Sequence, residues 1–170
     1  MWQESAGKTL EIWKVHGSLD WFSFKKFGIR SVPGIIDLPA DAIPLIIPPS
    51  FKKLAETHED PFRKIVHAVD TVLREANSFF CVGYGFNDNH IQVKLFERAQ
   101  RDRKPVVILS KELTKNARKL FLEDHGQIDF LAFEEASNYG TIMYDKDNRD
   151  GVLIEGHHVW DLAHFVKEVI

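Results

Sequence analysis

The sequence predicts an α/β protein: a Rossmann-like parallel sheet of four to five strands flanked by helices. Two observations carry this expectation. Apolar runs of strand length, at Ile43–Pro49, Phe79–Gly83 and Pro105–Leu109, alternate with helical patterns in the rhythm strand, helix, strand, helix, strand. The second is the stretch Ser78–His90, where a buried-type strand runs into the turn Gly83-Tyr84-Gly85 and then into a helix. Glycines there let the backbone come close to a ligand, and the free N–H groups of a first helical turn point at an anion.

Taken in order, Thr9–Val15 carries Leu, Ile, Trp and Val in loose alternation and reads as a short strand. It ends at the polar turn His16-Gly17-Ser18. Leu19–Phe27 follows, with Trp21, Phe22, Phe24 and Phe27 among lysines and no clear period, as expected of a packed excursion. Gly28–Asp41 is broken by Pro33, Gly34 and Pro39 and reads as loop. Ile43–Pro49 is a strand closed by two prolines, which cannot donate to a ladder. A short helical turn is expected after Ser50, toward Thr57.

Pro61–Ala76 is the strongest helix, with Phe62, Ile65, Val66, Val69, Val72, Leu73 and Ala76 on one face and Asp60-Pro61 at its start. After the Phe79–Gly83 strand, Ile91, Leu95, Phe96 and Ala99 recur at helical spacing, with Asn87 or Asp88 as the cap. Pro105–Leu109 is the next strand, ended by Ser110-Lys111. Leu113, Ala117, Leu120 and Phe121 mark a helix stopped at Gly126. Ile128–Phe133 alternates like an edge strand, Asn138–Gly151 is polar and turn-rich, and Val159–Ile170 closes the chain as a helix. One domain over residues 1–170 is expected.

Composition narrows the function. The 170 residues are 44% apolar and 28% charged with a formal net charge of −3, so nothing points to a nucleic-acid or anionic-membrane partner. The single cysteine, Cys81, excludes an internal disulfide and a zinc ribbon and fits a reducing, cytoplasmic setting. No apolar run approaches the ~20 residues of a membrane span, and the Met1–Ser5 start lacks the features of a signal peptide.

Three polar turns, His16-Gly17-Ser18, Gly83-Tyr84-Gly85 and Ser110-Lys111, each follow an expected strand. In this order they resemble the C-terminal half of a sirtuin-like NAD-binding domain. Lys14–Leu19 is similar to the strand that ends in that family's catalytic histidine, Ala76–Phe86 to the strand whose turn meets the ribose and phosphates of NAD, and Pro105–Lys111 to the strand that meets the adenosine ribose. The stretches His16–Trp21, Ile46–Pro49 and Gly83–Ile91 further resemble the divergent sirtuin-like domains of prokaryotic antiphage defence proteins. The resemblance covers residues 10–135.

What the resemblance implies is NAD binding and hydrolysis to nicotinamide and ADP-ribose, with a homo-oligomer or a partner effector chain. The glycine-rich turn and Asn-x-Asp element that precede the histidine in the family have no room within the fifteen residues before His16, which implies a fragment, a truncated gene product or one part of a composite site. The four-cysteine zinc module is replaced by the aromatic segment 20–42, so no zinc is expected and the implied branch is NAD hydrolysis, not protein deacetylation. Alternatives are a non-catalytic NAD or ADP-ribose module and an oligomerisation scaffold.

The chemistry needs a base for a ribose hydroxyl or the attacking water. His16 suits this because an imidazole titrates near neutral pH, although a lone histidine at a strand end is more often structural. Gly17 and Ser18 are expected at the ribose. Gly83, Tyr84, Gly85 and Asn87 are the expected phosphate and ribose contacts, and Ser110 and Lys111 the expected adenosine-ribose contacts, a solvated strand end being the competing reading. Asp88 fits a pure N-cap, since a carboxylate facing a pyrophosphate repels it. His90 reads equally as a packing residue. His157, His158 and His164 are spaced wrongly to stack on adjacent helical turns, so no metal site is expected. The Asp145–Gly151 loop lacks the glycine offset and terminal glutamate of a calcium site.

Overall fold

A computed structural model describes residues 10–34, 37–47, 60–123, 127–137 and 139–170. Their strands form two sheets, one in each of the units Met1–Thr71 and Val72–Ile170.

The first unit holds β1 (Gly17–Phe24), β2 (Gly28–Ser31) and β3 (Ile43–Ile46), with β1 central and antiparallel to both. Phe22 and Ile47 are among its buried side chains. This corrects three expectations. Residues 10–14 form no strand, and Leu10 and Ile12 are 87% and 75% exposed, so their alternation had no core to face. The strand begins at Gly17, so His16-Gly17-Ser18 opens an antiparallel strand and does not end a parallel one. The aromatic segment and the following loop form the β1–β2 hairpin, with Trp21 opposite Ser31 and Phe24 opposite Gly28. Aromatics lie on both faces of β1, which hides the period of two that would have announced it. The helical turn expected after Ser50 and the prolines closing β3 lie outside the described residues.

Helix α1 (Phe62–Glu75) contains the boundary between the units. Phe62 is buried, Ile65, Val66 and Val69 are half-buried, and Val72 is exposed, so its apolar stripe is narrower than its sequence pattern.

The second unit carries a five-stranded sheet in the order β4 (Phe79–Val82), β5 (Val106–Ser110), β6 (Phe130–Ala136), β7 (Gly140–Asp145), β8 (Val152–Glu155). The α/β class and strand number expected from sequence hold, with one refinement. The sheet is mixed: β4, β5 and β6 are parallel, whereas β7 and β8 add antiparallel hairpins. Helix α2 (Asn89–Arg101) connects β4 to β5, and α3 (Lys115–Arg118), continued by a π-helical turn Lys119–Glu123, connects β5 to β6. A parallel pair needs such a crossover, whereas an antiparallel pair closes on a tight turn. The last helix is α4 (Leu162–Glu168). Gly126, the expected stop of the third helix, lies outside the described residues.

Both sheet faces are packed. On one, Val106, Ile108 and Ala132 are fully buried against Leu95 and Ala99 of α2 and Phe121 of the π turn. On the other, Leu109 and Phe133 meet Val159 and Phe165. Each buried Val, Leu, Ile or Phe here is worth about 1.5–3 kcal/mol. Phe121 joins layers: its ring is 5.1 Å from that of Phe86 and 5.5 Å from that of Phe130.

The strand expected at an edge, β6, lies between β5 and β7. Glu134 on this strand is only 5% exposed. It accepts hydrogen bonds from the Leu113 N–H at 2.7 Å, from Arg118 at 2.6 Å and from the Tyr144 hydroxyl at 2.9 Å. A buried carboxylate is tolerated when so fully bonded.

Candidate functional site

The Gly83–Asn87 turn leaves the carboxyl end of β4, and Ser110-Lys111 leaves the carboxyl end of β5. The two strands pair directly, with Val82 opposite Leu109, and the Gly83 N–H donates to the Leu109 carbonyl at 2.9 Å. The structure therefore places these two expected turns side by side at one sheet end. That is where an open α/β sheet leaves room for a ligand.

The turn has a defined construction. Gly83 has φ +61°, and an added Cβ would touch nothing within 4 Å, so glycine is needed there for conformation alone. Gly85 has an ordinary φ but is crowded: its Cβ would fall 2.8 Å from Asn87 Nδ2. Between Gly85 and Asn87, Phe86 takes φ +53° while 1% exposed, its ring 4.6 Å from Tyr84 and 5.1 Å from Phe121. Left-handed backbone costs a non-glycine residue about 1–2 kcal/mol, which burial of the ring offsets. Burial, then the nearby Asp88, raises the Tyr84 hydroxyl's pKa, so it stays protonated; it reaches the Asp88 carbonyl at 3.4 Å.

Asp88 is the N-cap of α2: its carboxylate accepts from the His90 N–H at 3.0 Å. That leaves Asn87 outside the cap. Its Oδ1 instead accepts from Asn116 Nδ2 at 2.9 Å, and the same nitrogen donates to the Phe86 carbonyl at 3.1 Å. Thr114 completes the junction. Its hydroxyl donates to the Gly85 carbonyl at 2.6 Å and accepts from the Ala117 N–H at 3.2 Å, capping α3. Thr114 and Asn116 went unnoticed in the sequence; Thr-Lys-Asn just before a helical pattern is a capping signature, but its tie to a turn some thirty residues earlier is purely tertiary.

Ser110 and Lys111 are less concentrated on that space. The Ser110 hydroxyl donates to the Glu112 carbonyl at 2.7 Å, and Lys111, 77% exposed, pairs with Glu135 at 3.8 Å. Exposed pairs of this kind contribute little, so Lys111 is available to a ligand.

His16, Gly17 and Ser18 lie in the first unit. The His16 carbonyl accepts from the Ile47 N–H at 2.9 Å, and the imidazole is half-buried. Gly17 has φ +79°, and its Cβ would lie 2.0 Å from the Leu45 carbonyl oxygen, so the close approach of β3 by itself demands glycine. Ser18 is engaged twice: it accepts from Lys14 Nζ at 2.7 Å and donates to Asp20, which Ser31 also bonds. These hydrogen bonds, from Ser18 first and Ser31 next, lower the Asp20 pKa to about 2. An ionised Asp20 can only accept, so Ser18 directs its proton there and offers a ligand only its oxygen. Asp20 and Lys14 are polar residues of this region that the sequence did not single out.

Among the described residues no group of three or more His, Cys, Asp or Glu side chains could hold a metal ion. His158 and His164 do come together, their rings 5.5 Å apart, because His158 lies in the loop before α4 and not on the helix. No described helix is long and apolar enough to cross a membrane.

A family model for the SIR2-like domain matches residues 3–129. The chain belongs to the SIR2-like domain family. Membership agrees with the sirtuin-like resemblance of its motifs and with the α/β sheet, and it points to an NAD-type ligand. No curated protein and no solved structure matches the chain. The SIR2-like match includes the His16 turn, the Gly83–Asn87 turn, Ser110-Lys111 and the Thr114–Asn116 brace.

Proposed function

We propose that this SIR2-like chain binds NAD+ and hydrolyses it to nicotinamide and ADP-ribose, as a cytoplasmic effector of prokaryotic antiphage defence that works as a homo-oligomer or with a partner effector chain. The observation that carries ligand binding is the Gly83–Asn87 turn, which lies between β4 and α2, is braced by Thr114 and Asn116, and has an exposed glycine that no described residue crowds. We assign the phosphates and ribose to Gly83, Tyr84, Gly85 and Asn87, and the adenosine ribose to Ser110 and Lys111. His16 is the base, with Gly17 and Ser18 at the nicotinamide ribose.

In the reaction the bond from C1′ of the ribose to the nicotinamide nitrogen breaks, and its electron pair leaves with neutral nicotinamide. Water adds to the oxocarbenium-like carbon and gives its proton to the His16 imidazole. The antiphage setting rests on the stretches His16–Trp21, Ile46–Pro49 and Gly83–Ile91.

A second reading, a nucleotide-binding module without turnover, has its own observation: Gly17 is explained by the Leu45 carbonyl and Ser18 by Asp20, without a ligand. Thermal unfolding with and without millimolar NAD+ and ADP-ribose tests binding, because a ligand that binds only the folded chain raises the midpoint with concentration. Nicotinamide release then separates the two readings. Turnover that His16→Ala abolishes while the midpoint shift persists identifies the hydrolase; a midpoint shift with no turnover in the parent chain identifies the module. No shift in a folded chain refutes both.

A further inference from the structure

The hydrogen bond from Asn116 at the start of α3 decides which atom of Asn87 lies over Gly85. The Phe86 carbonyl can only accept, so the Asn116 atom 3.1 Å from it is the amide nitrogen. That nitrogen also lies 2.9 Å from Asn87, whose atom there must be the oxygen. The other end of the Asn87 amide, the Nδ2 donor, therefore lies over Gly85, 2.8 Å from where a Cβ would stand. Were the amide turned over, an acceptor oxygen would lie there instead and repel phosphate oxygens.

We propose that Asn116 is a positioning residue that orients the Asn87 amide so that its N–H groups face the pyrophosphate of the ligand above Gly85, which makes the turn selective for pyrophosphate-bearing nucleotides over nucleosides. This rests on the nucleotide-site reading above. Thr114 acts beside it by turning the Gly85 carbonyl toward its own hydroxyl, at 2.6 Å, and so away from the ligand.

The test measures dissociation constants of ADP-ribose and of adenosine for the parent chain, Asn116→Ala, Asn87→Ala and the double variant, with the ligand-free unfolding midpoint of each. A hydrogen bond to a charged group corresponds to about tenfold in affinity. The expected result is that Asn116→Ala weakens ADP-ribose about tenfold and leaves adenosine unchanged, and that this loss vanishes in the Asn87→Ala background. A merely structural role would weaken both ligands alike, or persist without Asn87, and either result overturns the assignment. So does an Asn116→Ala chain that binds ADP-ribose like the parent. If Asn116→Ala does not fold, the side-chain amide resonances of Asn87 in the parent, identified by their loss in Asn87→Ala, decide the matter. They must shift with ADP-ribose and not with adenosine; no shift, or equal shifts, overturns it. A parent chain that binds neither ligand removes the nucleotide-site reading and this assignment with it, whereas binding without the Asn87 dependence removes the assignment alone.

Discussion

Glu134 is the buried group whose removal the structure penalises most directly. Truncation to alanine leaves the Leu113 N–H and the Tyr144 hydroxyl without their acceptor, both in the interior. Each unsatisfied buried group costs about 1–3 kcal/mol. Arg118 loses both its bonds, but its side chain is 38% exposed and water replaces them in part. Glu134→Ala is therefore expected to cost about 3–5 kcal/mol, a large share of a domain's typical 5–15 kcal/mol. Glu134→Gln keeps an oxygen for the Leu113 N–H and can meet the Tyr144 hydroxyl with its nitrogen, so it should cost only about 1–2 kcal/mol. Urea unfolding followed by fluorescence gives both values, with Trp160, packed on the Leu109–Phe133 cluster, as the reporter of the second unit. A loss below about 1 kcal/mol for Glu134→Ala, or equal losses for both variants, would refute this account of the buried carboxylate. The consequence reaches the candidate site. Leu113 precedes Thr114, so a loosened Leu113 should also lower affinity for any ligand held by the Gly85–Asn87 turn.

Gly17→Ala sets a Cβ 2.0 Å from the Leu45 carbonyl oxygen at a left-handed φ, and should unfasten β1 from β3, read as accelerated exchange of the Ile47 amide that bonds the His16 carbonyl. Gly83→Ala meets no atom and should cost only the conformational strain of about 1–2 kcal/mol, read as a small fall in midpoint. Asp20 is depressed in the folded chain to about 2 from 3.8, so its contribution to stability is present above about pH 4 and lost as pH falls toward 2. Asp20→Asn should flatten the stability curve in that window, and a carbon-detected titration of the Asp20 carboxyl gives its folded pKa directly.

The sequence by itself determined the elements whose pattern is local. Pro105–Leu109 is a continuous apolar run because β5 lies inside the sheet, Phe79–Gly83 is legible as a strand although Phe80 and Val82 of β4 are half exposed at the end of the sheet, and Asp88 caps α2 because a short carboxylate reaches the N–H two residues on. The glycine turn was legible for the same reason, as was the SIR2-like family through its motifs. Tertiary structure decided whatever depends on a partner distant in the chain. The alternation of Ile128–Phe133 suggested an edge, yet β6 is a central strand, and the groups that satisfy its Glu134 come from Leu113, Arg118 and Tyr144. The aromatic stretch around Trp21 became a hairpin only when β2 and β3 flanked it. Asn87 changed from a candidate cap to a braced amide because Asn116, far along the chain, holds its oxygen. Hydrophobic period and capping chemistry act over a few residues and are written in order along the chain. Acceptor and donor matching across the fold is not, and that matching is what sets the polarity of the candidate site.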